Sequence, residues 1–272
     1  MEQQRTRKKI NGLVVTAMAF VALFLVLPLI FVVVQALREG VSAYVSYITE
    51  EYAVKALILT LQTTVVAVAV NTVFGLFAAW TVTKYTFRGS KLLTTAMDLP
   101  LSVSPVIAGL IFILTFGRSS PIYPFLTQHG IKIVYAVPGI MIATIFTTFP
   151  YISRELIPVL SAQGRDEEEA AALMGAGWLS IFKNVTFPHI KWPLLYGIVL
   201  CTARAMGEFG AVSILSGHLR GKTNTLPLHI EILYNEFHYT QAFAVSSILV
   251  MLAVLVLILR SVIEHRGRKK EM

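Results

Sequence analysis

Apolar runs near or above the roughly 20 residues that a helix needs to cross a bilayer recur along this chain, and no other feature constrains it as much. Only 14% of the 272 residues are charged and 56% are hydrophobic, whereas a soluble domain carries about a quarter charged residues. The expected fold class is an all-α integral membrane protein with six transmembrane helices. The chain reads as a single transmembrane domain over residues 1–272, with spans at about 13–37, 57–82, 99–117, 133–157, 194–215 and 240–259. The first run is too long for a signal-peptide core and lacks a small-residue cleavage site, so it is expected to stay as a span. A long polar loop at 158–193 separates the fourth and fifth spans.

Orientation follows from where the cations fall, because short cytoplasmic loops are enriched in Lys and Arg. Arg38, Lys55, Arg118, Lys132, Arg220 and Lys222 lie on one side. Sixteen of the 23 lie on the other, in the basic head (Arg5, Arg7, Lys8, Lys9), at 84–91, at 154–191 and from Arg260 onward. Both termini and the 158–193 loop are therefore expected in the cytoplasm. The net charge of +8 is accounted for by topology and attraction to anionic lipid, with no call on nucleic acid.

Several enzyme readings fall away on spacing. Gly217-His-Leu-Arg-Gly221-Lys222-Thr223 has three residues between its glycines, where a phosphate-binding loop needs four for its amides to curl around the anion. It also follows no strand, so no nucleotide site is expected. His218, His229 and His238 share no helix face and lie in one polar outer loop, so no metal or haem is expected, and no cofactor. Ser102 and Ser104 lack an intramembrane histidine to activate them as nucleophiles. The lone Cys201 excludes an internal disulfide and reads as a small packing residue.

Between the long apolar runs stands Asp166-Glu-Glu-Glu-Ala-Ala-Ala-Leu-Met-Gly175. Asp166 is placed to cap a helix, with Glu169 three residues on in the capping-box position. The acids suit the first turn of a helix dipole, the alanines propagate it, and Gly175 and Gly177 stop it. Leu173 and Met174 are left exposed unless something covers them. On composition alone this could be a solvated connector. However, Glu169-Ala170-Ala171, three residues, Gly175, nine residues, then Val185-Thr-Phe187-Pro188 resembles the EAA signature of bacterial ABC importer permeases, with Val185 and Phe187 where that family usually has isoleucine and leucine. The resemblance implies a coupling helix that docks on a separate cytoplasmic ATPase through Glu169, Ala170, Ala171, Gly175 and Pro188.

Arg204 and Glu208 are one helical turn apart inside the fifth apolar run and can pair. Each costs at least ~2.5–3.5 kcal/mol to insert and should face protein or water. Two readings stay open. The pair fixes helix packing, or Glu208 holds Arg204 beside an anion path. Gly207 and Gly210 flank it and would admit a close neighbour.

Ala205-Met-Gly207-Glu208-Phe209-Gly210-Ala211 resembles the permeases that import tetrahedral oxyanions. The stretch from Ser216 through Arg220, Pro227, His229 and Glu231 to Glu236 is similar to the W-type sulfate/thiosulfate permease subunits. That resemblance implies a type-I importer half that works with a homologous T-type permease subunit, two copies of a cytoplasmic ABC ATPase and a periplasmic sulfate/thiosulfate-binding protein, in a bacterial inner membrane. Ser102, Ser104, Ser213 and Ser216 are candidate hydroxyl donors to the anion. A molybdate or tungstate permease is the alternative cargo. A stand-alone ion-driven carrier or membrane enzyme is the alternative class, and it would need a fuller charge relay than one ion pair.

Overall fold

The computed structural model describes residues 13–271, with side chains through His265. The basic head with Arg5, Arg7, Lys8 and Lys9 lies outside the described residues, as do the side chains of the basic tail from Arg266. Among the described residues every regular element is helical.

Helix α1, Leu13–Ala36, presents apolar side chains outward along almost its full length, as a lipid-facing span must. A π turn at Ala22–Val26 precedes Pro28, where the missing proline N–H would otherwise break the ladder. Short α2, Val41–Ile48, leads into α3, Glu51–Lys84. Apart from Leu59 and Lys84, the buried face of α3 is made of small or short polar residues, Ala53, Ala56, Thr60, Thr63, Thr64, Ala67, Asn71, Gly75 and Ala79. Small side chains let helix backbones approach when lipid provides no hydrophobic drive between helices.

The third expected span is not one straight rod. Helix α4, Ser90–Ser102, and α5, Pro105–Phe116, meet at a 109° bend. Pro105 opens α5 at a position that suits a residue without an N–H, and Ser104 ahead of it is extended, as a residue before proline must be. After α6, Tyr123–Gln128, helix α7 runs Val137–Gln163 without a gap wider than Phe149, although Pro150 and Pro158 lie within it. It is the most buried of the long helices. Helix α8, Asp166–Leu173, follows, then α9, Trp178–Ile181, a π turn at Phe182–Thr186, and α10, Phe187–Met206.

The fifth expected span also departs from a simple rod. Helix α10 starts at Phe187 rather than near 194, stops at Met206, and resumes as α11, Gly210–Leu215. The outer loop expected at 216–239 contains α12, Leu226–Asn235, whose Leu226, Leu228, His229 and Leu233 are buried. His229 is thus a core residue and not the exposed polar loop histidine that its neighbours suggested. Helix α13, Tyr239–Glu271, closes the chain against α1, α10 and α12.

Three apolar clusters tie these elements together. One joins α3, α7, α11 and α12 through Leu59, Ile140, Val212, Leu215 and Leu228. A second joins α3, α7 and α10 through Ala79, Ile152, Leu156, Ile190 and Cys201. Inside it the Asn71 amide donates to Thr148 Oγ1 at 2.8 Å and to the Ile145 carbonyl at 3.1 Å. The third joins α3, α12 and α13 through Ala53, Leu226, Leu233 and Val245.

Candidate functional site: a coupling loop and a broken helix

Helix α8 stands on the end of α7 with no buried residue of its own. Its four acids, Asp166, Glu167, Glu168 and Glu169, all sit in the first turn, where each interacts favourably with the helix dipole by about 0.3–1 kcal/mol. Asp166 does not cap the helix. Arg165 holds the cap position, Asp166 is the first helical residue, and no side chain caps the N-terminus. The helix begins one residue early because the Arg165 carbonyl already accepts from the Glu169 amide at 2.9 Å.

The other end is closed by a Schellman arrangement. Gly175 N–H donates to the Ala172 carbonyl at 2.9 Å and Ala176 N–H to the Ala171 carbonyl at 3.0 Å. Gly175 takes φ 85° for this, a left-handed conformation that glycine adopts without steric cost. Gly177, expected as part of the stop, instead caps the start of α9. Past the turn the chain offers an apolar tip, since Leu173, Met174 and Trp178 are 89%, 88% and 80% exposed. Glu169, Ala170, Gly175 and Pro188 are also exposed, and Ala171 is half-buried.

Beneath the tip, three segments meet at one carboxylate. Lys84, the last residue of α3, places its Nζ 3.0 Å from Glu168 Oε1 and donates to the Gly164 carbonyl at 2.5 Å. Thr186 Oγ1 donates to the same Glu168 oxygen at 2.6 Å. Lys84 is buried and so is Thr186. Sequence reasoning missed this centre. The only local signal was a lysine ending an apolar run, which reads more readily as a topology marker. A second contact, His189 Nε2 to Glu167 Oε2 at 3.1 Å, is half exposed on both sides.

The second site lies where α10 breaks. Arg204 Nη1 is 2.7 Å from Glu208 Oε2, with the glutamate side chain 1% and the arginine side chain 30% exposed. Glu208 Oε1 also accepts the Ala211 amide of α11 at 3.1 Å. One buried carboxylate therefore pairs with the end of α10 and satisfies the start of α11. Gly210 is the residue that admits a neighbour. A methyl group there would lie 2.8 Å from Pro105 Cβ, so the break in α10–α11 seats directly on the break in α4–α5. Gly207 is less crowded, since a Cβ there would meet only the Ala203 and Arg204 carbonyls, at 3.8 and 4.0 Å. A similar close approach one turn along sets Gly109 against α11, where a Cβ would come within 2.9 Å of the Ala211 carbonyl.

The serines divide. Ser102 and Ser104 are exposed at the α4–α5 bend, and among the described residues their hydroxyls have no recorded hydrogen bond. Ser213 donates back to the Gly210 carbonyl at 2.9 Å, and buried Ser216 accepts from the His218 amide at 3.1 Å. The first pair is free to meet a solute, and the second is engaged in holding its own loop. In α12, burial pushes the His229 imidazole below its ordinary pKa, with Arg220 adding to the effect. Arg220 pairs with Glu236 and lowers that carboxyl's pKa. Among the described residues no group of three or more His, Cys, Asp or Glu side chains could hold a metal ion.

This architecture has known counterparts. Residues 71–270 match the family described as the binding-protein-dependent transport system inner membrane component. The chain is 42% identical over 250 residues to the sulfate transport system permease protein CysW of Escherichia coli K12, covering 92% of this chain and 86% of that one. It is 36% identical over 255 residues to the sulfate transport system permease protein CysT of Salmonella typhimurium, covering 93% and 92%. In three dimensions it overlays, with TM-score 0.77, a chain of a bacterial ABC transporter that imports the acidic polysaccharide alginate, covering 98% of both at 16% identity.

Proposed function

The chain belongs to the family of binding-protein-dependent transport system inner membrane components, and from that premise we propose that it is the permease subunit of an ATP-driven importer of sulfate, with thiosulfate as a second cargo. The observation that carries this reading is extensive identity, over nearly the whole chain, with permeases named for sulfate. It is a transport subunit and not an enzyme, so hydrolysis falls to a separate ATPase. A W-type chain of this kind works beside a T-type permease, on two copies of the ATPase and under a periplasmic sulfate/thiosulfate-binding protein, with both termini in the cytoplasm.

The chemistry of the cargo explains the division of labour. Sulfate stays doubly charged at neutral pH, and an inside-negative potential opposes its entry by about 2.3 kcal/mol per charge for each 100 mV. Uphill import therefore needs ATP. In our reading, closure of the ATPase dimer moves the apolar tip of α8, and the two permeases rock between inward- and outward-facing states. Breaks in membrane helices expose unpaired backbone groups, which are tolerated only where protein or a water-filled path satisfies them. The paired breaks at Ser104–Pro105 and Gly207–Gly210, with the free hydroxyls of Ser102 and Ser104 and the partly exposed Arg204, are the donor-rich stretch that such an anion would use. Molybdate, another tetrahedral oxyanion, fits the same description less well, since the named relatives are sulfate permeases.

The deciding experiment purifies the chain, with an affinity tag, from its native membrane in mild detergent. Mass spectrometry should identify an ABC ATPase and a second permease. Reconstituted vesicles should take up radiolabelled sulfate only with ATP and binding protein, and excess molybdate should compete poorly. Uptake by this chain alone, without ATP, overturns the reading.

A further inference from the structure

A lysine that ends a membrane helix ordinarily extends its stem toward water and interacts there with the helix dipole. Lys84 does neither. The residues after it, Tyr85, Thr86, Phe87 and Arg88, are exposed, so water is close at hand. Its own side chain is nevertheless 4% exposed and folded inward onto Glu168, itself 15% exposed. Burial of a charge is stable only when the partner and further hydrogen bonds are in place. Here the Gly164 carbonyl supplies one and Thr186, through the shared Glu168 oxygen, supplies another.

The four residues belong to four different parts of the chain. Lys84 ends α3, Gly164 is the link into α8, Glu168 is in the first turn of α8, and Thr186 ends the π turn that leads into α10. Helix α8 has no buried residue, so packing alone does not fix it. Its other ion pair among the described residues, Glu167 with His189, is half exposed, and such pairs contribute little. A push on the exposed tip at Leu173 and Met174 would be absorbed by rotation about the links at either end of α8 unless something stiffened its base.

We propose that Lys84 is a positioning residue of the coupling apparatus. Through Glu168, Gly164 and Thr186 it locks the base of α8 to the cytoplasmic end of α3 and to the start of α10, so that displacement of α8 is delivered to two membrane helices. This inference rests on the importer reading above and deepens it. Coupling in this chain depends on a buried tie eighty residues away in sequence, as well as on the surface that meets the ATPase.

The test uses the complex purified from native membranes, comparing the wild type with Lys84→Met, Glu168→Leu and the double variant. Each single variant strands a buried charge and should lower membrane abundance. The double variant removes both charges and should assemble with its ATPase at the wild-type ratio. Its ATP hydrolysis should persist while sulfate moved per ATP falls about tenfold, a factor within the usual range of coupling between two sites. If the double variant moves as much sulfate per ATP as the wild type, the pair is only packing and the proposal is overturned. If the double variant loses the ATPase altogether, the tie serves assembly, and the proposal is again overturned. A wild-type complex with no ATP-dependent sulfate uptake would remove the importer reading, and the proposal with it.

Discussion

Among the described residues two ion pairs are poorly hydrated, one under the loop that carries α8 and one at the break in α10. Arg204 and Glu208 are four residues apart, and the pair spans a single interruption between consecutive helices. Lys84 and Glu168 come from opposite ends of a long fold-back, and their contact joins segments that no local rule would bring together. The first bridges the break between two consecutive helices. The second makes three separate segments move as one body. The chemistry is similar in both cases, and connectivity decides what each can do. A pair within one element can set shape, but only a pair between elements can transmit motion.

The largest effect should come from the tip above the Lys84 tie. Gly175→Arg puts a bulky cation where the chain needs left-handed backbone and where a partner surface should sit. It should abolish ATP-dependent sulfate uptake with normal membrane insertion. Gly175→Ala is the control. Its Cβ meets nothing within 4 Å, so only the backbone cost of roughly 1–2 kcal/mol remains, and uptake should fall no more than a few-fold. Equal, severe loss in both variants would assign Gly175 to loop shape and not to docking.

The broken helix should respond differently. Arg204→Met alone leaves Glu208 buried with one oxygen unmatched, and loss of one partner from a buried pair costs on the order of 3–5 kcal/mol before allowance for the partial exposure of Arg204. Uptake should be lost. Arg204→Met with Glu208→Leu removes both charges but also the acceptor for the Ala211 amide, so assembly should recover only in part. The informative quantity is sulfate uptake per assembled complex. Near-wild-type values would take Arg204 out of the anion path and leave it a packing residue. Absent uptake from a well-assembled complex would put it in the path.

The smallest perturbation tests which side of the membrane each region faces. Cys201 is buried, so an introduced thiol should be read against a low background. Phe237→Cys, at a side chain 76% exposed in the loop that we propose faces outward, should react with an impermeant thiol reagent in intact spheroplasts. Lys91→Cys, exposed just beyond the end of α3, should react only after permeabilisation. Both variants should transport normally. The reverse labelling pattern would put the Lys84 tie outside the cell and end its role in coupling.

Much of this was legible from the residues because it depends on short range. Apolar run length announced membrane helices, the spread of Lys and Arg suggested an orientation, and Asp166 to Gly175 carried its own start and stop. Arg204 and Glu208 could be paired from their spacing alone. The errors were also local. Asp166 was assigned the cap, yet the backbone had already begun its helix at Arg165. The two bends were less visible, since Pro105 and Gly210 are ordinary boundary residues until one is seen to rest on the other.

What the sequence determined by itself was an all-helical, largely apolar chain, the short acidic helix after Arg165 and the chemistry available at each turn; it did not announce α12 or the breaks in the third and fifth apolar runs. Period and spacing act over a few residues, and a helix forms largely from those. The tertiary structure alone decided that Lys84 folds inward instead of reaching water, that Thr186 shares its carboxylate, and that His229 is core. Each of these outcomes depends on the free energy of burying a polar group, and that energy is set by the partners that distant segments bring to it. No spacing along the chain encodes those partners until the helices have packed.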